Sequence, residues 1–341
     1  STLFPYTTLF RSPELIRSVT PLNSRRCLLC SDDCQPKTIL SEGHLNCHMR
    51  LCAAAGLDPI VAIQMASLNV AECYGLKDRG AIKPGLRADI VLLDDLASFR
   101  ARRVFIAGRE VAADGRYLPE VTKHDISAVR GRFRVRDFSA DRLRLKVNSD
   151  RAHVITMMPG SIITRNEIAE ITRDENGCFV YDPARDIVKI AVVERHHGTG
   201  NVAVALLKDY GLKRGAIALS IAHDSHNIIV VGTSDADMAY AVDRLAEQDG
   251  GIVLVYEQSV LESLPMPIAG LMSDQSGEWV DEKLTRIHRA AVDVLGVRDN
   301  LEPVMQLCFM ALPVIPELKL TDMGLFDVTK FDFISIEAWK Q

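Results

Sequence analysis

Apolar positions along the chain fall into two regimes. Between residues 45 and 67 they recur at helical spacing. Leu45, Met49 and Cys52 share one face before Gly56; Ile60, Ile63 and Ser67 share another, after an Asp58 cap with Pro59 in the first helical position. From residue 186 onward continuous apolar runs take over. DIVKIAVVE (186–194), GAIALSIAH (215–223), NIIVVG (227–232) and IVLVY (252–256) read as buried strands. VAVALLKDYG (202–211) reads as a helix closed by Gly211. Ser234 with Asp237 opens an amphipathic helix carrying Met238, Ala241, Val242 and Leu245, and Gly250-Gly251 ends it. A last helix places Leu284, Ile287, Ala291, Val292 and Leu295 on one face. Strands alternating with helices predict an α/β domain.

Shorter patterns divide the rest. The run Cys27 to Cys30 reads as a buried strand that delivers Ser31-Asp32-Asp33 to a sheet edge. Residues 76–118 read as a small β unit, broken by Pro84-Gly85, Ala107-Gly108 and Asp114-Gly115, the last a strong hairpin signal. The arginine-rich stretch 119–151 reads as a solvated connector or a β edge, and a second composition regime, 152–341, follows it. The opening STLFPYTTLFRS has no clean period and resembles a non-native adaptor scar over residues 1–12.

Composition narrows the partners. The 341 residues are 48% hydrophobic and 25% charged, with a net charge of −5 and no basic stripe, so nucleic acid and membrane are poor partners. No apolar run is long enough for a membrane span and no signal-peptide pattern opens the chain, which makes cytoplasm the expected compartment. Eight cysteines, mostly inside apolar segments, read as reduced core thiols.

Three places could carry chemistry. In RCLLCSDDC (26–34) the cysteines are a weak metal site, because Cys27 and Cys30 are an odd offset apart and would point to opposite sides of a strand. The aspartates can sit at the mouth of a parallel barrel, where a carboxylate binds metal or takes a proton; alternatively Asp32 or Asp33 caps the next helix. His44, in SEGHLN, can line the same pocket or be structural. In the α/β domain, ERHHGTGN (194–201) and AHDSHN (222–227) would meet at one sheet edge if their strands are parallel neighbours joined by the 202–211 helix. That would gather Arg195, His196, His197, His223, Asp224, His226 and Asn227 around a metal, a purine-sized ligand or an interface, with the GTG segment as an anion cradle at a helix start.

Longer blocks carry a resemblance. CSDDCQPKTILSEGHLNCHMR, GLDPIVAIQMASLNVAECYGLKDRGAIKPGLRADIVLL, VVERHHGTGNVAVALLKDYGLKRGAIALSIAHDSHNIIVVGTSDADMAYAV, LPMPIAGLMSD and ALPVIPELKLTD occur in that order. Together they make residues 13 to about 333 similar to the bacterial adenine deaminases of the amidohydrolase superfamily. The resemblance implies an α/β fold in three parts. These are the C-terminal remnant of a (β/α)8 amidohydrolase barrel (13–75), part of a small β-sandwich (76–118) and, past the 119–151 connector, a C-terminal α/β domain (152–341). It implies hydrolytic deamination of adenine to hypoxanthine and ammonia, in which water activated at a divalent metal centre attacks C6 of the purine. The centre would be binuclear in the full-length protein, with manganese, iron or zinc. Asp32 matches the metal-binding, proton-shuttling aspartate at the end of the eighth barrel strand, with Asp33 the alternative. The family's His-x-His on the first strand and its ligands on the middle strands have no counterpart here. The expectation is therefore an N-terminally truncated chain, poorly active alone, whose full-length form acts on a purine as a homo-oligomer. The alternative is a stand-alone purine- or metal-binding module.

Overall fold

A computed structural model describes residues 16–31 and 34–338. The chain divides into two compact units, with the boundary between His124 and Asp125.

The first unit begins with four helices: α1 (Pro36–Glu42), α2 (Leu45–Ala54), α3 (Pro59–Ala66) and α4 (Leu68–Cys73). Asp58 caps α3 as its sequence demands, the side chain accepting from the Ile60 amide at 2.8 Å. The apolar faces of α2 and α3 meet in a small core of Ile16, Leu29, Cys52, Ala62 and Met65. The expected strand at 27–30 does not form. Its backbone is extended, and Leu29 is buried and donates its amide to the Met65 carbonyl at 3.0 Å, but no strand pairs with it among the described residues. A strand needs a ladder partner, and here a helix end takes that place. The thiols differ from expectation too: Cys27 is half-buried and Cys30 exposed.

A four-stranded antiparallel meander completes this unit: β1 (Ile90–Leu93), β2 (Ala101–Ile106), β3 (Arg109–Ala113) and β4 (Arg116–Tyr117). Both tight turns use paired left-handed residues, Ala107-Gly108 (φ +50° and +79°) and Asp114-Gly115 (φ +47° and +78°). That geometry matches the twist of a two-residue hairpin.

The second unit is built on an eight-stranded sheet of order β12-β11-β9-β10-β7-β8-β5-β6. Its strands are β5 (Arg151–Met157), β6 (Thr164–Glu170), β7 (Ile187–Val193), β8 (Val202–Lys208), β9 (Ala216–Leu219), β10 (Ile228–Gly232), β11 (Gly251–Tyr256) and β12 (Ser259–Pro265). All seven residues of β7 and all five of β10 are buried, which is why, Lys189 apart, they read as apolar runs. Helix α5 (Asp235–Glu247) covers one face, setting Met238, Ala241, Val242 and Leu245 against Ala191, Val193, Ala218, Ile228, Val230 and Val253. Helices α6 (Gly277–Arg289) and α7 (Pro303–Cys308) and the small sheet β13 (Leu318–Thr321), β14 (Gly324–Asp327) and β15 (Asp332–Phe333) complete the unit.

Three expectations for this unit are corrected. Residues 202–208 are strand β8, not a helix, and pair along their whole length with β7, from Ile187↔Lys208 to Val193↔Val202. The run is short, and its alternating valines at 202 and 204 suit a pleated ladder once a partner is present. The strands on either side of the polar loops are antiparallel neighbours, β7 with β10 in register Val193↔Ile228; among the described pairs of this sheet only β5 with β8 is parallel. The arginine-rich stretch, in turn, is no free linker from residue 125 onward. Phe133, Val135 and Phe138 pack on the α5 core, and Leu143, Leu145 and Val147 are buried.

Candidate functional site

The end of β7 and the start of β10 bring two polar loops together. Because Val193 faces Ile228 across the ladder, residues 194–201 and 220–227 leave the sheet at the same end. The loops are tied directly: Arg195 Nε donates to the His226 carbonyl at 2.5 Å, and His196 Nε2 lies 2.8 Å from the Ser225 carbonyl. The gathering is expected from parallel strands joined by a helix; instead an antiparallel register brings Arg195 and His196 against the backbone of residues 225 and 226, while no hydrogen bond between His197 or Asn227 and the opposite loop is found among the described residues.

Glu194 organises the first loop. Its carboxylate is buried and accepts from the amides of His196 (2.5 Å), His197 (2.7 Å) and Thr199 (2.9 Å) and from the Thr199 hydroxyl (3.1 Å). Burial pushes this carboxyl upward, but the four donors outweigh it and hold the pKa at about 2. The expected anion cradle at the start of a helix is not what forms: the amides of His196, His197 and Thr199 close on the protein's own carboxylate, and only Thr199 belongs to the GTG segment. No helix starts there, since Gly198 and Gly200 (φ +65° and +76°) turn the chain from β7 into β8.

Arg195 is 2% exposed. Besides the His226 carbonyl it donates from Nη2 to the Ala269 carbonyl at 3.1 Å, and its guanidinium lies 4.4 Å from the centre of the Phe133 ring. Burial lowers its pKa to about 10. The His226 ring is lowered as well, by burial first and then by His223 and Arg195. His223 stacks against Phe309, ring centres 4.5 Å apart, and lies 6.0 Å from His226. His197 and Asp224 are exposed and Asn227 is buried. Among the described residues no group of three His, Cys, Asp or Glu side chains is placed to hold a metal ion, so these loops do not fit a metal.

The remaining site residues lie in the first unit. His44 precedes α2; its ring Nε2 meets the Ser31 hydroxyl and its amide donates to Asn46 Oδ1 at 2.8 Å. Asp32 and Asp33 lie outside the described residues. Sequence reasoning missed Glu194 and Phe133 as organisers. The signals were an acid directly after a buried strand, and an aromatic among the arginines of RFRVR.

Comparison with known proteins places this architecture in a class. Residues 161–332 match the adenine deaminase C-terminal domain, and residues 17–111 match the amidohydrolase family. The chain belongs to the adenine deaminase C-terminal domain family, joined to amidohydrolase sequence. Among its relatives, adenine deaminase 2 of Desulfotalea psychrophila is 65% identical over 324 residues, covering 95% of this chain and 56% of that protein. The adenine deaminase of Ligilactobacillus salivarius is 47% identical over 324 residues, with the same coverage. That of Nitratidesulfovibrio vulgaris is 46% identical over 323 residues. The chain thus spans about 56% of the length of the curated relatives it matches.

Proposed function

We propose that this chain is part of an adenine deaminase, a hydrolase that converts adenine to hypoxanthine and ammonia in purine salvage. The observation that carries the reading is the 65% identity to adenine deaminase 2 of Desulfotalea psychrophila, over 324 residues and 95% of the chain. In this reading the enzyme uses a divalent metal centre, binuclear and of manganese, iron or zinc, which supplies an activated water. Asp32, with Asp33 the alternative, binds the metal and carries the proton, and His44 sits beside it. The enzyme is a cytoplasmic homo-oligomer. The described residues do not by themselves form a metal site, so no catalytic step is assigned to them.

The test is a chimera that joins this chain to the preceding part of the Desulfotalea relative. The expected result is release of hypoxanthine and ammonia from adenine, abolished by Asp32→Asn, while this chain alone turns adenine over little or not at all. A folded, metal-loaded chimera that leaves adenine unchanged would overturn the reading.

A further inference from the structure

Arg195 presents an electrostatic imbalance that the fold does not resolve. The residue is 2% exposed, yet its hydrogen-bond partners are two carbonyls, those of His226 and Ala269, and its flank is an aromatic face. Buried guanidinium groups are ordinarily paired with an acid. Its neighbour Glu194 acts on it only through space, because that carboxylate is committed to three amides and a hydroxyl. The rest of the Arg195 fork has no partner among the described residues.

Unmet valence recurs beside it. His226 Nδ1 and Asn227 Oδ1 are both buried without a hydrogen-bond partner among the described residues. A buried polar atom left unmet is costly, so two in adjacent residues next to a cation without an acid partner ask for an explanation. Both can become donors: His226 in its Nδ1–H tautomer, and Asn227 by a half-turn of its amide that puts Nδ2 where Oδ1 now stands. Around them His196, His223 and His226 are half-buried and Asp224 and Ser225 are exposed, so the loop pair opens toward solvent.

We propose that Arg195 and His226, with Asn227 at their side, form an oxyanion-binding site in the α/β unit, suited to a phosphate group or a carboxylate. The site is independent of the deaminase reading, since it needs only residues of this unit. A bound oxyanion would take the free Arg195 N–H groups and the His226 Nδ1–H, pairing a buried charge that has carbonyls but no acid among its hydrogen-bond partners.

The experiment uses the whole chain, labelled for observation of histidine ring nitrogens, titrated at constant ionic strength with inorganic phosphate, adenosine monophosphate or acetate against chloride. The expected result is a saturable shift of the His226 ring with phosphate. Arg195→Lys should weaken the fitted affinity about tenfold or more, and His226→Gln, which keeps the loop but removes the ring donor, should weaken it several-fold when followed by calorimetry. Tighter binding of the monophosphate than of inorganic phosphate identifies a nucleotide as the source, the reverse a free oxyanion, and acetate binding alone a carboxylate. Non-saturating shifts with all three probes, or an affinity unchanged in His226→Gln, would overturn the proposal. If Arg195→Lys does not fold, His226→Gln decides it.

Discussion

The Thr199 amide stands 2.9 Å from the Glu194 carboxylate, and the Thr199 hydroxyl reaches the same oxygen at 3.1 Å. With the amides of His196 and His197, a five-residue return closes on one buried charge. The loop that looked like a ligand cradle is therefore held shut from within, and its neighbour Arg195 is aligned toward the second loop.

That arrangement fixes a pH dependence. The Glu194 pKa is about 2 in the folded protein, below the value near 4.3 of an unfolded chain. A group depressed on folding contributes stability that is fully present above its unfolded pKa and is lost as pH falls through the folded one. Stability should thus decline between about pH 4.5 and 2. Glu194→Gln should cost ~2–3 kcal/mol at neutral pH and flatten this part of the profile, measured by urea unfolding of both proteins across that range. An unchanged acid limb in the variant would refute the assignment.

A second prediction concerns Lys189, buried on β7, where its Nζ forms an ion pair with Asp235 at the start of α5 and donates to the Leu143 carbonyl at 3.2 Å. Removing only the acid leaves a buried cation. Asp235→Ala should therefore destabilise by ~3–5 kcal/mol, whereas the double change Lys189→Met with Asp235→Ala should recover most of that loss. Denaturant unfolding of the single and double variants checks it; equal losses in both would show that the pair is solvated.

Lys319 adds a pH dependence of the same sign as that of Glu194, but in the alkaline range. It is fully buried on β13, with the Ile162 carbonyl as acceptor at 2.9 Å, and burial lowers its pKa to about 7. The unfolded chain, with a lysine pKa near 10.4, binds more protons over the interval between these values. Folding stability should consequently rise with pH from about 7 to 10, with a limiting slope of ~1.4 kcal/mol per pH unit from this group. Lys319→Met should remove the slope and raise the melting temperature at pH 7. A slope that survives the substitution would trace to other groups.

Much of the fold could be read from the sequence because local and global preferences agree there. The α5 face, its Ser234 cap and the hairpin at Asp114-Gly115 are each specified by a few adjacent residues and are found as expected. What escaped reading depends on partners distant in sequence. VAVALLK suits helix and strand alike, and only the full-length ladder with β7 selects the strand. The segment at Cys27 to Cys30 has strand composition but no ladder partner among the described residues, so it stays an extended stretch anchored by Leu29. The candidate site followed the same rule. Arg195 and the histidines were visible as a polar cluster, but whether they faced a metal, a ligand or their own backbone depended on Glu194, which takes the amides, and on Phe133, which comes from the arginine-rich stretch.

The turn from α5 into β11 supplies the sharpest steric prediction. Gly251 has φ +107°, a conformation that L side chains rarely adopt, and a Cβ there would run into the Leu264 carbonyl on the adjacent strand β12. Gly250 before it, at φ +97°, lies where a Cβ would come 2.6 Å from the Gly270 Cα and 2.7 Å from the Phe133 ring. The two sites differ in what can yield. At Gly251 the obstacle is backbone in a paired ladder, which cannot shift without breaking the β11–β12 register Gly251↔Pro265 and Ile252↔Leu264. At Gly250 part of the obstacle is an aromatic ring on the segment that packs over Arg195. Gly251→Ala should therefore cost more than ~3 kcal/mol, by adding left-handed strain to a backbone clash, and prevent accumulation of folded protein. Gly250→Ala should cost less in global stability but displace Phe133, which would appear as faster amide exchange over residues 129–138 while β7 and β10 stay protected. Wild-type exchange over 129–138 in a folded Gly250→Ala variant would mean that the Phe133 contact does not hold that segment in place.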